Sequence, residues 1–437
     1  MNIKKNLVAA TAAVLAAGMA LAGCGSTGGS GDVQKTADGK VKITMWHGFS
    51  EADGKTLESI VDDFNKSQDK YEIDAQLQPW STIGETMVTK VSSGDGPDFV
   101  TTGADNGQGW SIDGTFQCVS DFYEDSKYET ENYLDNVVDQ ITFDIDGTKE
   151  KCAVPMGYAP TSVWYNTDMW KAAGLTDKDI PTTWDQLLEV AKKLTKSDGS
   201  QYGIALSDLG WASFLKGNGT GLYTTDGKVS INSKENKAFL EKMREFYKGG
   251  YTVAGMDDTA ARESFESGQS AMVIVGPWED QAATDKGINH DTFAVPDGDG
   301  TYKYSDGSTG SNTGSTGLYW WVTSQVGDSA KLPGIYEFFK FYNNHDNQVK
   351  WSLGSAYPPN NKTVTADELS KRPLIAKISQ YTANSHIAIA GLKGGFGDIS
   401  ATVDTLTSNT TRTDDDIQSL LDEAESKIQG YLDEYAE

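Results

Sequence analysis

Eleven tryptophans and no recognisable catalytic motif set the chemical question for this 437-residue chain. Trp46, Trp211 and Trp278 each stand at the end of an expected strand or in a Gly/Pro-marked loop. A tryptophan placed there can offer one ring face to the apolar C–H face of a pyranose, while carboxylates and amides take the sugar hydroxyls. The bland alternative for each ring is rim or core packing. Reaction chemistry finds less support. The chain has no G-x-S-x-G elbow, no H-E-x-x-H and no G-x-x-x-x-G-K-[ST]. Gly217-Asn218-Gly219-Thr220-Gly221 lacks dinucleotide-loop spacing, and four histidines are too few for a His-rich metal site, so neither cofactor nor metal is expected. Asp297-Gly298-Asp299-Gly300-Thr301 puts glycine at positions two and four, not at the sixth position of a calcium loop, and reads as a solvated turn. With 63 acidic residues some carboxylate pair always looks catalytic, which makes pairing weak support for glycoside hydrolysis.

The formal charge of −26, from 37 Lys+Arg against 63 Asp+Glu, repels phosphate backbones and argues against nucleic-acid binding. Aromatic residues make up 10%, too many for a disordered acidic chain. The length predicts two or more domains, each with its own core. At the N-terminus Lys4 and Lys5 precede an apolar run from Leu7 to Ala22, which ends in Leu21-Ala22-Gly23-Cys24. That is a charged n-region, a signal-length apolar stretch and a small-residue cleavage site over residues 1–23. The run is too short for a comfortable membrane span. Leu21-Ala22-Gly23-Cys24 resembles the lipobox of bacterial lipoproteins, in which the cysteine is diacylated and becomes the mature N-terminus. Residues 24–40, rich in Gly, Ser and Thr, then form a lipidated flexible tether, and the rest of the chain works outside the cell, anchored to the cell membrane. With Cys24 so occupied, Cys118 and Cys152 can pair in an oxidising exterior or remain buried thiols.

Strands and helices alternate from residue 41 onward. Val41–Met45 alternates as a strand. Leu57, Ile60, Val61 and Phe64 repeat at helical spacing, and 71–77 returns to period two. A second helix is expected with Ser81 as N-cap and Gly94 as its stop, followed by a strand over 97–101. The order β-α-β-α-β predicts a doubly wound parallel sheet, in which ligands sit beyond the carboxyl ends of the strands. Trp46-His47-Gly48 and Gly103-Ala104-Asp105-Asn106 leave strands at that end. Further on, Thr183-Trp184-Asp185-Gln186 forms a capping box, 202–206 and 270–275 read as strands, and 234–248 and the last 25 residues read as helices.

These residues in this order resemble family 1 extracellular solute-binding proteins of ABC sugar importers. The resemblance rests on the lipobox, Thr44-Met45-Trp46-His47-Gly48, Gly96-Pro97-Asp98-Phe99-Val100, Ala153-Val154-Pro155, Trp164-Tyr165-Asn166, Pro181-Thr182-Thr183-Trp184 and Gly276-Pro277-Trp278. It implies an α/β, two-lobed periplasmic-binding-protein-like fold: two doubly wound sheets joined by crossover hinge strands, with ligand in the cleft. The N-terminal lobe would hold 41–154 plus 297–327 and the C-terminal lobe 155–296 plus 328–437. Crossovers would lie at Pro155, at Pro296 and near Gly327. It also implies a non-enzymatic, monomeric receptor that captures an oligosaccharide and delivers it to an ABC permease, touching the membrane only through its lipid. Trp46, His47, Asp105, Asn106, Tyr158, Trp211, Trp278, Tyr357 and Phe396 are the implied ligand contacts. Asp105 could equally cap a helix, Tyr158 pack a hinge and Tyr357 stiffen a Pro-rich loop. A polyamine- or peptide-binding protein and a surface glycoside hydrolase are the alternative functions.

Overall fold

The computed structural model describes residues 34–50, 52–145, 147–207, 229–296, 315–382 and 396–434. Cys24, Trp211 and the 297–301 turn lie outside the described residues. The first lobe is built on strands β1 (Val41–His47), β2 (Tyr71–Leu77), β3 (Phe99–Gly103), β4 (Phe116–Gln117), β7 (Val154–Pro160) and β11 (Ser315–Thr323), in the order β2-β1-β3-β11-β4 with β7 beside β11. A short hairpin of β5 (Thr142–Ile145) and β6 (Thr148–Lys151) flanks them. β1 runs parallel to β2 and β3, as the repeating β-α order predicts, while β11 runs antiparallel to β3, β4 and β7.

Period-two alternation divides this lobe's core between two faces. On β11, Leu318, Trp320 and Val322 point into one cluster with Ile43, Met45, Phe64, Phe99, Phe338 and Phe339; Tyr319 and Trp321 point into the other with Trp46, Ile83, Met87 and Val100. The first face is covered by α1 (Ala52–Ser67) and the second by α2 (Trp80–Ser93) and α3 (Ala104–Ile112). Trp320 and Trp321 are both fully buried, each worth on the order of 4–6 kcal/mol of transfer free energy as an upper bound. Cys118 and Cys152 form a disulfide that joins the residue after β4 to the residue after β6.

The second lobe has a smaller antiparallel sheet, β10 (His290–Ala294), β8 (Ser162–Asn166) and β9 (Met272–Val275) in that order. Residues 202–206, expected as a strand, form only isolated parallel bridges, Ala205 to Val273 of β9 and Tyr202 to Ser270 just before it. The capping box at Thr183 opens the Trp184–Leu194 helix. There the Gln186 amide donates to Thr183 Oγ1 (3.2 Å) and the Thr183 amide donates to Gln186 Oε1 (3.3 Å). Helices Lys234–Lys248, Phe396–Arg412 and Ile417–Glu434 pack together through Phe239, Met243, Val403, Leu406 and Leu421.

The connections between lobes depart from the expected boundaries. Pro155 lies inside β7, paired with Tyr319, and the chain leaves the first sheet only after Pro160. The Leu332–Tyr342 and His345–Ser355 helices stay on the first lobe rather than beginning the second, because Ile335, Phe338, Phe339 and Tyr342 complete the aromatic face made by Phe99 and Trp320. The third connection is therefore residues 357–372, after which the Pro373–Thr382 helix joins the second lobe through Ile378.

Candidate functional site

The carboxyl end of β1 delivers Trp46, His47 and Phe49 in quick succession, and strand alternation sends them different ways. Trp46 turns toward α2, is only 8% exposed, and donates its indole N–H to Gln76 Oε1 (3.1 Å). His47 turns the other way and is buried. Burial pushes its pKa down to about 4, so the ring is neutral at physiological pH, and its Nδ1 has no partner. Phe49, which the sequence does not single out, lies 6.1 Å from His47 in a stacked arrangement.

A chain of ring contacts continues from Phe49 to the second lobe. Trp80, the first residue of α2, meets Phe49 edge-on at 5.2 Å and stays 42% exposed. It lies over the backbone of Gly48, where an added Cβ would come within 2.3 Å of the indole. Only glycine permits that approach. Phe49 also contacts Trp351 (5.5 Å) and Tyr357 (6.1 Å), and Tyr357 meets Trp278 at 6.1 Å with the planes tilted by 38°. Trp278 comes from the second lobe, at the end of β9, and packs against both the first-lobe core and the Val273–Val275 cluster. Trp278 is half-buried, and its ring folds back over Gly276.

Of the residues the sequence nominates, the structure thus brings together His47, Tyr357 and Trp278. Tyr158 sits fully buried in β7 opposite Gly317, in the same core cluster as Trp46. Asp105 is in the first turn of α3, whose N-cap is Gly103, and Asn106 follows half-buried. Phe396 opens the Phe396–Arg412 helix. Trp80 was missed although Gln78-Pro79-Trp80 follows a strand end as Trp46 does. The expected cap at Ser81 hid it: Pro79, held extended at φ −53° and ψ 140°, caps the helix two residues earlier, so that Trp80 opens it.

The ground behind Trp278 is ionic. Glu279, directly after it, is fully buried; Arg262 Nε donates to its Oε2 (3.2 Å), and Oε1 has no partner. Burial outweighs the guanidinium and raises the Glu279 pKa to about 7. Among the described residues, no group of three or more His, Cys, Asp or Glu could hold a metal ion.

Residues 48–349 match the family of bacterial extracellular solute-binding proteins, and the chain belongs to that family. The sn-glycerol-3-phosphate-binding periplasmic protein UgpB of Brucella melitensis is 27% identical over 349 residues, covering 76% of this chain and 77% of its own. Among solved structures, an ABC transporter solute-binding protein from Thermotoga lettingae, bound with alpha-D-tagatose, superposes with a TM-score of 0.74 at 19% identity, covering 90% of this chain and 99% of its own. The Thermus thermophilus maltotriose-binding protein superposes at 0.72 and 18%, covering 89% and 99%. The fold is theirs: two α/β lobes of the maltose-binding-protein type. These are substrate-binding proteins of ABC transport, not enzymes, and they work outside the cytoplasm with permease partners. No helix among the described residues is long and apolar enough to cross a membrane.

Proposed function

We propose that this solute-binding protein captures a carbohydrate, an oligosaccharide rather than a single sugar, between the exposed first-lobe ring Trp80, which Phe49 and Tyr357 back from the core, and the second-lobe ring Trp278. The observation that carries this reading is that set of rings at the carboxyl end of β1, with one member from the opposite lobe. Stacked rings suit the C–H faces of a glycan, and Asp105 and Asn106 at the start of α3 would take hydroxyls. Contacts contributed by the second lobe favour the closed form, because only differential binding shifts an open–closed equilibrium; moving it from 1:99 to 99:1 takes about 5.5 kcal/mol. The sugar-bound structural neighbours support the same class of ligand.

The second reading, a glycerol phosphate ligand, is favoured by the likeness to UgpB. A phosphate needs a cation with donors to spare. The two guanidinium groups that reach the Trp278 turn, Arg262 and Arg372, are already committed to Glu279 and Asp280. Lipid attachment at Cys24 would tether the receptor to the cell membrane, and Cys24→Ser would then release it into the medium. Titration calorimetry against maltotriose, longer and cyclic glucans, tagatose, sn-glycerol 3-phosphate, spermidine and short peptides, with product analysis afterwards, tests the assignment. Saturable binding of a glycan left intact is expected. Binding of glycerol phosphate, polyamine or peptide alone would overturn it, and cleavage of the glycan would make the protein a hydrolase.

A further inference from the structure

The third connection, residues 357–372, is fastened to the first lobe at its start and to the second at its end, with exposed side-chain pairs such as His345–Glu368 (2.8 Å) also tying it to the first lobe. At its start the Asn360 amide donates to Gln348 Oε1 (2.7 Å), its carbonyl accepts from the Leu134 amide (3.1 Å), and Asn361 Nδ2 donates to the Asn343 carbonyl (3.0 Å). These are buried neutral bonds to the first lobe. At its end Arg372 Nη1 meets Asp280 Oδ2 at 3.0 Å, and Nη2 donates to Gln281 Oε1. Asp280 Oδ1 lies 3.1 Å from His290 Nε2, and the other ring nitrogen, Nδ1, lies 2.9 Å from the Ile288 carbonyl oxygen. Burial works against charge on this ring, but the two acceptors facing its nitrogens favour the protonated form and raise its pKa above the ordinary imidazole value. Asp280 is thereby held between a guanidinium and an imidazole from different elements, with side chains only 8–19% exposed.

Asp280 lies two residues after Trp278, in the first turn of the Glu279–Asp285 helix. We propose that Arg372 is a positioning residue for ligand capture: through Asp280 it ties the third interlobe connection to the turn that presents Trp278, so that movement of the lobes and placement of the ring are coupled. Other charges nearby do not replace it. Arg262, from the Asp258–Glu266 helix, serves Glu279 and Glu266; Lys286 reaches only Glu266; Lys377 pairs with Asp291 on β10. A partly enclosed carboxylate held by a guanidinium and an imidazole is worth more than an exposed pair, and removing the guanidinium leaves the carboxylate and the turn around it loosened.

The role of Trp278 in binding rests on the carbohydrate reading, and the test separates the two. Hydrogen–deuterium exchange is followed in the whole ligand-free protein for wild type, Arg372→Met and Arg372→Lys. Arg372→Met should speed exchange of residues 276–286 about tenfold or more while residues 41–47 and 99–103 stay unchanged, and Arg372→Lys, which keeps the charge but not the two-pronged fork, should recover part of the protection. Unchanged exchange at 276–286 in Arg372→Met would overturn the proposal, as would equal loosening of both lobes. With maltotriose as the probe, the Met variant should bind about tenfold more weakly than wild type. Should the wild type bind no glycan, the carbohydrate reading fails and the exchange result still decides the coupling.

Discussion

In the first lobe the site residues are held by packing: Phe49, Trp351 and Tyr357 are each at most 3% exposed and touch one another ring to ring, and the adjoining imidazole of His47 is kept neutral by burial. On the second-lobe side a single ring, Trp278, sits on a turn whose next two residues are Glu279 and Asp280, each bound to an arginine. The contrast follows from what each sheet can supply. The wide first sheet, with aromatic helices on one face, has hydrophobic surface enough to fix side chains by volume. The second sheet buries Val163, Tyr165, Met272, Ile274 and Phe293 in a large core on one face, but the face that carries Trp278 has only a small cluster around Trp164, Val273 and Val275, and charge pairs do the positioning there instead. One wall should therefore answer to cavities and lose stability in acid, the other to salt and lose it as pH rises.

The largest effect should come from opening a hole in the packed wall. Trp351→Ala is expected to cost about 3–5 kcal/mol of unfolding free energy in a denaturant melt. Trp351→Phe should cost far less, because the buried indole N–H of Trp351 has no partner to lose. Equal losses in the two variants would mean that ring volume is not what holds this wall.

Protons sharpen the comparison next. The folded-state pKa of His47 is depressed from 6.5 to about 4, so between those values the unfolded chain binds more protons and stability is lost as pH falls, by up to about 3 kcal/mol. The folded-state pKa of Glu279 is raised from 4.5 to about 7, so there the native state binds more protons and stability is lost as pH rises, by a similar amount. Relative to wild type, His47→Gln should gain stability as pH falls from 6.5 to 4, and Glu279→Gln should gain it as pH rises from 4.5 past 7. Parallel pH slopes for the two variants, measured by melts across that range, would erase the distinction between the walls.

Much of the scaffold could be read from spacing alone. The period-two runs at 41–45 and 71–77, the capping box at Thr183 and the 234–248 helix are local patterns, and local patterns survive folding. The third connection could not be placed that way, because the Leu332–Tyr342 helix is apolar enough to suit either lobe and only the partner surface of Phe99 and Trp320 decides. At the site, Trp278 stands out by its Gly276-Pro277 setting. Phe49, Trp80 and Trp351 were silent, since a ring's value there depends on neighbours far away in the chain: Gly48 beneath Trp80, and Tyr357 between Trp351 and Trp278. Tyr158 shows the converse. An aromatic residue at the edge of an expected crossover became an interior residue because β7 continues to Pro160 alongside β11.

The central claim is that rings from both lobes close on a glycan. Titration calorimetry of Trp278→Ala beside wild type, with whichever glycan the wild type binds, tests it most directly. A loss of affinity of about tenfold or more, with the melting transition unchanged, is the expected result. Undiminished affinity in a folded Trp278→Ala protein would contradict it and leave binding to the first lobe alone.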